Sequence, residues 1–133
     1  MNDIKDLKQL LTLLSPILDP EEYVFASFTG KKYGDFSSYN PICCIMEDEG
    51  MTFVIQRSQA DAIELKYPCV FQRIILSVHS SLEAVGLTQK VSSALAENGI
   101  SANFVAGYYH DHIFVPAERA EDALAAISKL TLN

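Results

Sequence analysis

Few side chains in this sequence are spaced for chemistry. His110-Asp111-His112 places two imidazoles at i and i+2. On a strand such residues point the same way and can share a metal ion. No third ligand lies nearby in sequence and the segment falls at a turn, so a solvated hairpin tip is expected and no metal is assigned. Cys43 and Cys44 are neighbours on an expected strand and face opposite ways, which opposes shared metal binding and an easy disulfide. Cys69 follows Pro68 in an apolar context. With His79 it would make a thiol-dependent enzyme, the least favoured of three readings, because buried cysteines usually serve packing. His79 itself reads as a hydrogen-bonded strand-end histidine. Glu47-Asp48-Glu49 is an acidic turn that lacks the spaced oxygens of a calcium loop. Phosphate-loop, dinucleotide and nucleophile-elbow motifs do not occur. The chain is therefore read as a non-enzyme, with no catalytic residue and no cofactor.

A different chemistry resides in the backbone. The loop His79 to Gly86 (HSSLEAVG) feeds a helix that starts at Leu87. The leading amides of a helix lack intrahelical acceptors and carry the positive end of its dipole. Such a junction suits a carboxylate or a phosphate.

The elements around this junction follow from periodicity and breakers. Ile4, Leu7, Leu11, Leu14 and Leu18 keep helical spacing; Asn2 or Asp3 can cap the start and Pro16 stops it. Tyr23 to Phe28 reads as a strand. Thr29 to Asn40 is a loop whose aromatics are expected to fold back onto the body. Ile42 to Met46 and Thr52 to Ile55 form a hairpin, and Ser58 with Asp61 looks like a capping box for a short helix ended by Pro68. Val70 to Val78 is the strongest strand. Helix Leu87 to Asn98, strands Ser101 to Ala106 and Asp111 to Val115, and a final helix opened by Pro116 follow. That helix buries Ala120, Ala123, Leu124, Ile127 and Leu130. Thr52 to Ala62 is laid out like His112 to Ala123, a hint of duplication.

Bulk properties narrow the function. The chain has 133 residues, 49% of them apolar and 20% charged, as a folded globule requires. A net charge of −7 without a basic cluster argues against nucleic acid and anionic membranes. Three cysteines without framework spacing suggest reduced thiols. The first residues alternate in charge and no apolar run reaches the length of a membrane span, so a cytoplasmic protein is expected.

The segment Phe71 to Leu130 reads as β-α-β-β-α and resembles an ACT domain. The strand IILSV, the run Val85-Gly86-Leu87 and the exit Ala96-Glu97-Asn98-Gly99-Ile100-Ser101 carry the likeness. Small bacterial tandem-ACT proteins are similar, as are the ACT modules of aspartate kinases and arginine-sensing regulators. The resemblance implies an α+β fold of two ferredoxin-like βαββαβ units fused in one compact body, with antiparallel sheet covered by helices on one face. Residues 1–69 would form a degenerate unit with an extra helix, and 70–133 the second. Val70 to Val78 would close the first and open the second. The second unit would lack its fourth strand, since Thr131 to Asn133 is too short to form one, and so would leave an edge to be covered or paired. By the same resemblance the chain would bind a small molecule, an amino acid, and regulate through oligomer interfaces or a protein partner in trans. Ser80, Ser81, Leu82, Glu83, Ala84, Val85, Gly86 and Leu87 would line the site, with Asn103, Phe104 and Val105 facing it. Amides near Val85 to Leu87 would hold the ligand carboxylate, and Glu83 or loop carbonyls its ammonium. The alternative is an assembly module that binds no ligand.

Overall fold

The computed structural model describes residues 6–78, 81 and 83–132. In chain order the elements are α1 (Leu7–Thr12), β1 (Pro16–Phe28), β2 (Cys43–Glu47), β3 (Gly50–Gln56), α2 (Arg57–Ala62), β4 (Phe71–Leu76), α3 (Leu87–Glu97), β5 (Asn103–Ala106), β6 (Asp111–Pro116) and α4 (Ala120–Ser128). Short 3-10 turns flank α4 on both sides. The strands form an antiparallel sheet in the order β2-β3-β1-β4-β6-β5. The chain divides into two compact units: Met1–Pro20 with Gln72–Asn133, and Glu21–Phe71.

The first element departs from expectation. The helix begins after Asp6, whose carboxylate accepts the Lys8 N–H at 3.2 Å, and it ends at Thr12. Pro16 does more than stop it, because it opens β1, which runs thirteen residues. Proline disfavours helix at the preceding residue and supplies no N–H to a ladder. Ser15 accepts from the Ser77 N–H, so Ser15, Ile17 and Asp19 present their amide groups toward β4. Pro16 and Pro20 face the other way, and β3 reaches back along β1 only to Tyr23. Both prolines therefore sit where no ladder bond is required.

The unit that joins the two chain ends contains α1, the first half of β1, β4, α3, β5, β6 and α4. Strand alternation sends Ile74 and Leu76 of β4 and Ile113 and Val115 of β6 to one face. There they meet Leu10 and Leu14, Leu87, Val91 and Leu95 of α3, and Ala120, Ala123, Ala126 and Ile127 of α4. Leu18 of β1 and Phe104 of β5 flank the same core. Leu14 and Leu18, placed by spacing on a helix, thus reach the core from the residues after it. The fourth-strand position expected to be vacant is filled: the first half of β1 lies beside β4, joined by Ser77 N–H to Ser15 O at 3.2 Å and Gln72 Nε2 to Asp19 O at 3.2 Å. The N-terminal residues, not the C-terminal ones, complete this βαββ-α pattern.

In the other unit, the second half of β1 pairs with β3 and β3 with β2. Val24, Met51, Phe53, Ile55 and Ala60 of α2 form its core. The loop after β1 folds back as its aromatics predict: Phe36 stacks on Phe28 at 4.8 Å and on Phe53 at 4.7 Å. Tyr39 joins this cluster, whereas Tyr33 stays exposed. The capping box is corrected. Gln56 occupies the cap position without a side-chain bond, and Ser58 lies inside the helix. Asp61 instead accepts the Tyr67 hydroxyl at 2.7 Å, in a surface network with Arg57 and Glu22.

Candidate functional site

The loop-helix junction forms as the sequence suggests. Gly86 occupies the cap position of α3 at φ 101°, a conformation open to glycine and strained for other residues. It has no side chain to offer the leading amides, and the first turn of α3 contains no acidic residue. The terminus therefore keeps its partial positive charge. Before it, the Ser81 hydroxyl accepts the Glu83 N–H at 3.1 Å and the Ser81 carbonyl accepts the Ala84 N–H at 3.0 Å, making a tight turn. Val85 projects outward, 81% exposed. A Cβ on Gly86 would lie 3.0 Å from the Leu7 Cδ2, so α1 packs against this junction.

The expected site residues divide by orientation. Ala84, Leu87 and Phe104 all join the helix-side core. Asn103 and Val105 pair across the hairpin with Phe114 and His112 and point to the opposite face. Ser80 and Leu82, like His79, lie outside the described residues. A groove of about 370 Å³ runs along the outer side of α3, lined by Gln89, Lys90, Ser93, Ala94, Glu97 and Leu130. It begins two residues beyond Leu87 and includes none of the expected residues.

A second constellation, on the helix-free face of the same unit, was not read from the sequence. Arg73 of β4 donates from Nε and Nη2 to the Asp19 Oδ2 at 3.1 and 2.8 Å. Both side chains are largely buried, 19% and 11% exposed. The third guanidinium nitrogen, Nη1, lies 3.5 Å from the His112 Nδ1. Burial, the Arg73 charge and His110 hold the His112 imidazole below its ordinary value, against a smaller opposing effect of Asp111. A guanidinium at one ring nitrogen also makes His112 a poor metal ligand. Among the described residues no group of three or more His, Cys, Asp or Glu side chains is placed to hold a metal.

Two of the three thiols lie on β2 and are half-buried. Cys44 joins the unit's aromatic core, and Cys43 lies on the opposite side of β2. Burial, with the neighbouring Cys44 thiol, pushes the Cys43 thiol up, away from a nucleophilic thiolate. Cys69, expected in an apolar setting, is exposed. Among the described residues no helix is long and apolar enough to cross a membrane.

About the β5–β6 hairpin, the order β5-β6-β4-β1 with α3 and α4 packed on one core is that of a ferredoxin-like βαββαβ unit. The ACT domain family matches residues 2–72 and again residues 72–129, and the chain belongs to that family. A Vibrio cholerae protein of unknown function, described as a possible transport protein, is 45% identical over 98% of this chain and 99% of its own, with a TM-score of 0.85. The ligand-free regulatory subunit of Thermus thermophilus aspartate kinase is 14% identical over 86% of this chain and 95% of its own, with a TM-score of 0.62. Aspartokinase III of E. coli, in complex with aspartate and ADP, matches 90% of this chain with 33% of its own, at 10% identity and a TM-score of 0.58. These last two share the fold. No curated protein matches the sequence. ACT domains are regulatory modules that bind small molecules, and the tandem arrangement here is of that kind.

Proposed function

We propose that this chain is an amino-acid-binding regulatory module that takes the ligand's carboxylate at the N-terminus of α3. The observation that carries the reading is the first turn of α3 behind Gly86, which holds no acid and, among the described residues, no side-chain cap. An anion there gains both amide hydrogen bonds and the helix dipole. The loop 80–87 would surround the ligand, with Glu83 or loop carbonyls receiving its ammonium and the backbone edge of β5 at 103–105 facing it. The bound state would be passed on through an oligomer interface or to a protein partner in trans. A thermal-shift screen of the common amino acids tests this. At a hundredfold excess over Kd, mass action contributes about 2.7 kcal/mol, a readily measured rise in Tm. No shift from any amino acid at millimolar concentration refutes the reading.

A ligand-free assembly role rests on a different observation. β2 is an edge of the sheet and exposes Ile45 (50%) and Met46 (47%). Unpaired edges invite strand addition. The filled fourth-strand position beside β4 removes the other support for this role. Light scattering separates the readings: a stable oligomer that amino acids leave unchanged favours assembly, and a monomer at micromolar concentration excludes it.

A further inference from the structure

The ring of His112 is held on two sides. Arg73 only donates and is always charged, so the Nδ1 facing it must be the acceptor and the ring proton must sit on Nε2. On the other side lies the β5–β6 turn. A Cβ on Gly107 would stand 3.1 Å from the Nε2 and 3.4 Å from the Cδ2 of His112, so the imidazole occupies the space that a side chain at 107 would take. The same glycine closes the turn, its N–H donating to the His110 carbonyl at 2.9 Å. The turn carries Tyr108 and Tyr109, 69% and 54% exposed, with their rings 5.1 Å apart.

We propose that His112 is an acid-operated latch between the Asp19–Arg73 ion pair and the β5–β6 turn. Uncharged, the ring accepts from Arg73 and supports Gly107. Protonated at Nδ1, it loses that hydrogen bond and faces a guanidinium with like charge, so the ring turns away and leaves the space beside Gly107 unfilled, and the turn loosens. The groups that face the ring are Arg73 from β4, with Asp19 of β1 bound to the same guanidinium, and His110 and Asp111 from its own hairpin arm. β5 presents the uncharged Val105 opposite it. Asp19 is engaged through Oδ2 by two nitrogens of Arg73, which keeps the guanidinium in place as the ring changes charge. The direction follows from linkage. The folded-state value is depressed below the ordinary 6.5, so the contribution to stability is full above 6.5 and is lost as pH falls through the lowered value.

The test uses the full chain. Histidine Cε1–H resonances, assigned with single His→Asn variants, are followed from pH 8 to 5. His112 is expected to titrate below the free imidazole. Hydrogen exchange over residues 103–116, corrected for intrinsic rates, is compared between pH 7.5 and 5.5. Protection should fall about fivefold or more in the parent protein and less than about twofold in His112→Asn, whose amide oxygen still accepts from Arg73 but does not titrate. In Arg73→Gln the repelling charge is gone, and the His112 titration should move up toward the ordinary value. Titration of His112 at or above the free imidazole, an unchanged titration in Arg73→Gln, or equal loss of protection in the parent and His112→Asn overturns the proposal.

Discussion

Thr88→Asp separates two consequences of the α3 terminus that most substitutions would confound. Thr88 is the second residue of α3 and is exposed, and the first turn holds no acid. A carboxylate there interacts favourably with the dipole, by about 0.3–1 kcal/mol. For a chain of this size that is a rise of about 1–4 °C in the Tm of the unliganded protein. A ligand carboxylate held by the same amides then meets a like charge. At a separation of ~6 Å, with an effective dielectric between those of water and a protein surface, the repulsion is about 0.7–3 kcal/mol. Affinity should therefore drop roughly three- to hundredfold as the fold becomes more stable. Thr88→Asn, which adds no charge, should leave affinity near the parent value. Calorimetric titration with the best amino acid from the screen gives Kd, and a melt without ligand gives the Tm. Salt at 1 M should shrink both effects, because its screening length is about 3 Å. A Kd unchanged within twofold, alongside a raised Tm, would refute the placement of the carboxylate at α3.

Gly86→Ala should cost about 1–2 kcal/mol in urea unfolding, because φ 101° suits only glycine and the new methyl meets Leu7. Combining it with Leu7→Ala should not restore stability; full recovery would show that contact, not backbone, sets the requirement. Arg73→Met should cost about 1–3 kcal/mol, less than a fully buried pair because both partners keep some solvent, and Asp19→Asn in the same chain should recover part of it. No measurable cost would mean that solvent replaces the guanidinium. Iodoacetamide at pH 7.5 should label Cys69 first, and the Cys43 rate should keep climbing at higher pH because its thiol is pushed up. Peptide mass spectrometry reads this, and equal rates at the two sites would contradict it. A fragment of residues 70–133 should show no cooperative unfolding, since it lacks Leu10, Leu14 and the strand beside β4. A sharp melting transition of that fragment would refute the role given to the N-terminal residues.

What the sequence made legible was local. Helix α3 follows from the spacing of Leu87, Val91 and Leu95 with a glycine at each end, and its observed bounds differ from the reading by one residue. The hairpins around Gly50 and Gly107 and the proline before α4 were equally readable, because turn chemistry acts over four or five residues. β1 was not. Its first five residues contain two prolines and follow a leucine-periodic run, so local rules assign them to a helix and its exit. Only pairing with a strand more than fifty positions away makes them a strand. The vacant edge inferred for the second unit was a direct consequence of that misreading.

The same distinction governs the candidate sites. The α3 terminus is built from consecutive residues, and Gly86 signals it in the sequence. The Asp19–Arg73–His112 constellation joins residues 54 and 39 positions apart through strand neighbours. One signal was available: in Val70 to Val78, a largely apolar strand, Arg73 is the sole charge, and a charge in such a strand needs a partner. Its partner lay in the prolines' segment, and so was hidden for the reason β1 was hidden. His112, read as half of a solvated pair at a hairpin tip, acquires its chemistry from that missing neighbour. Its titration depends on Arg73, whose position depends on Asp19, which is set by the register of β1 against β4. A one-residue slip in that register would turn Asp19 to the helix side and bury a carboxylate in the apolar core. The ion pair is therefore a register mark for the strand that local rules misassign, and its loss should loosen β1 before it loosens any hairpin.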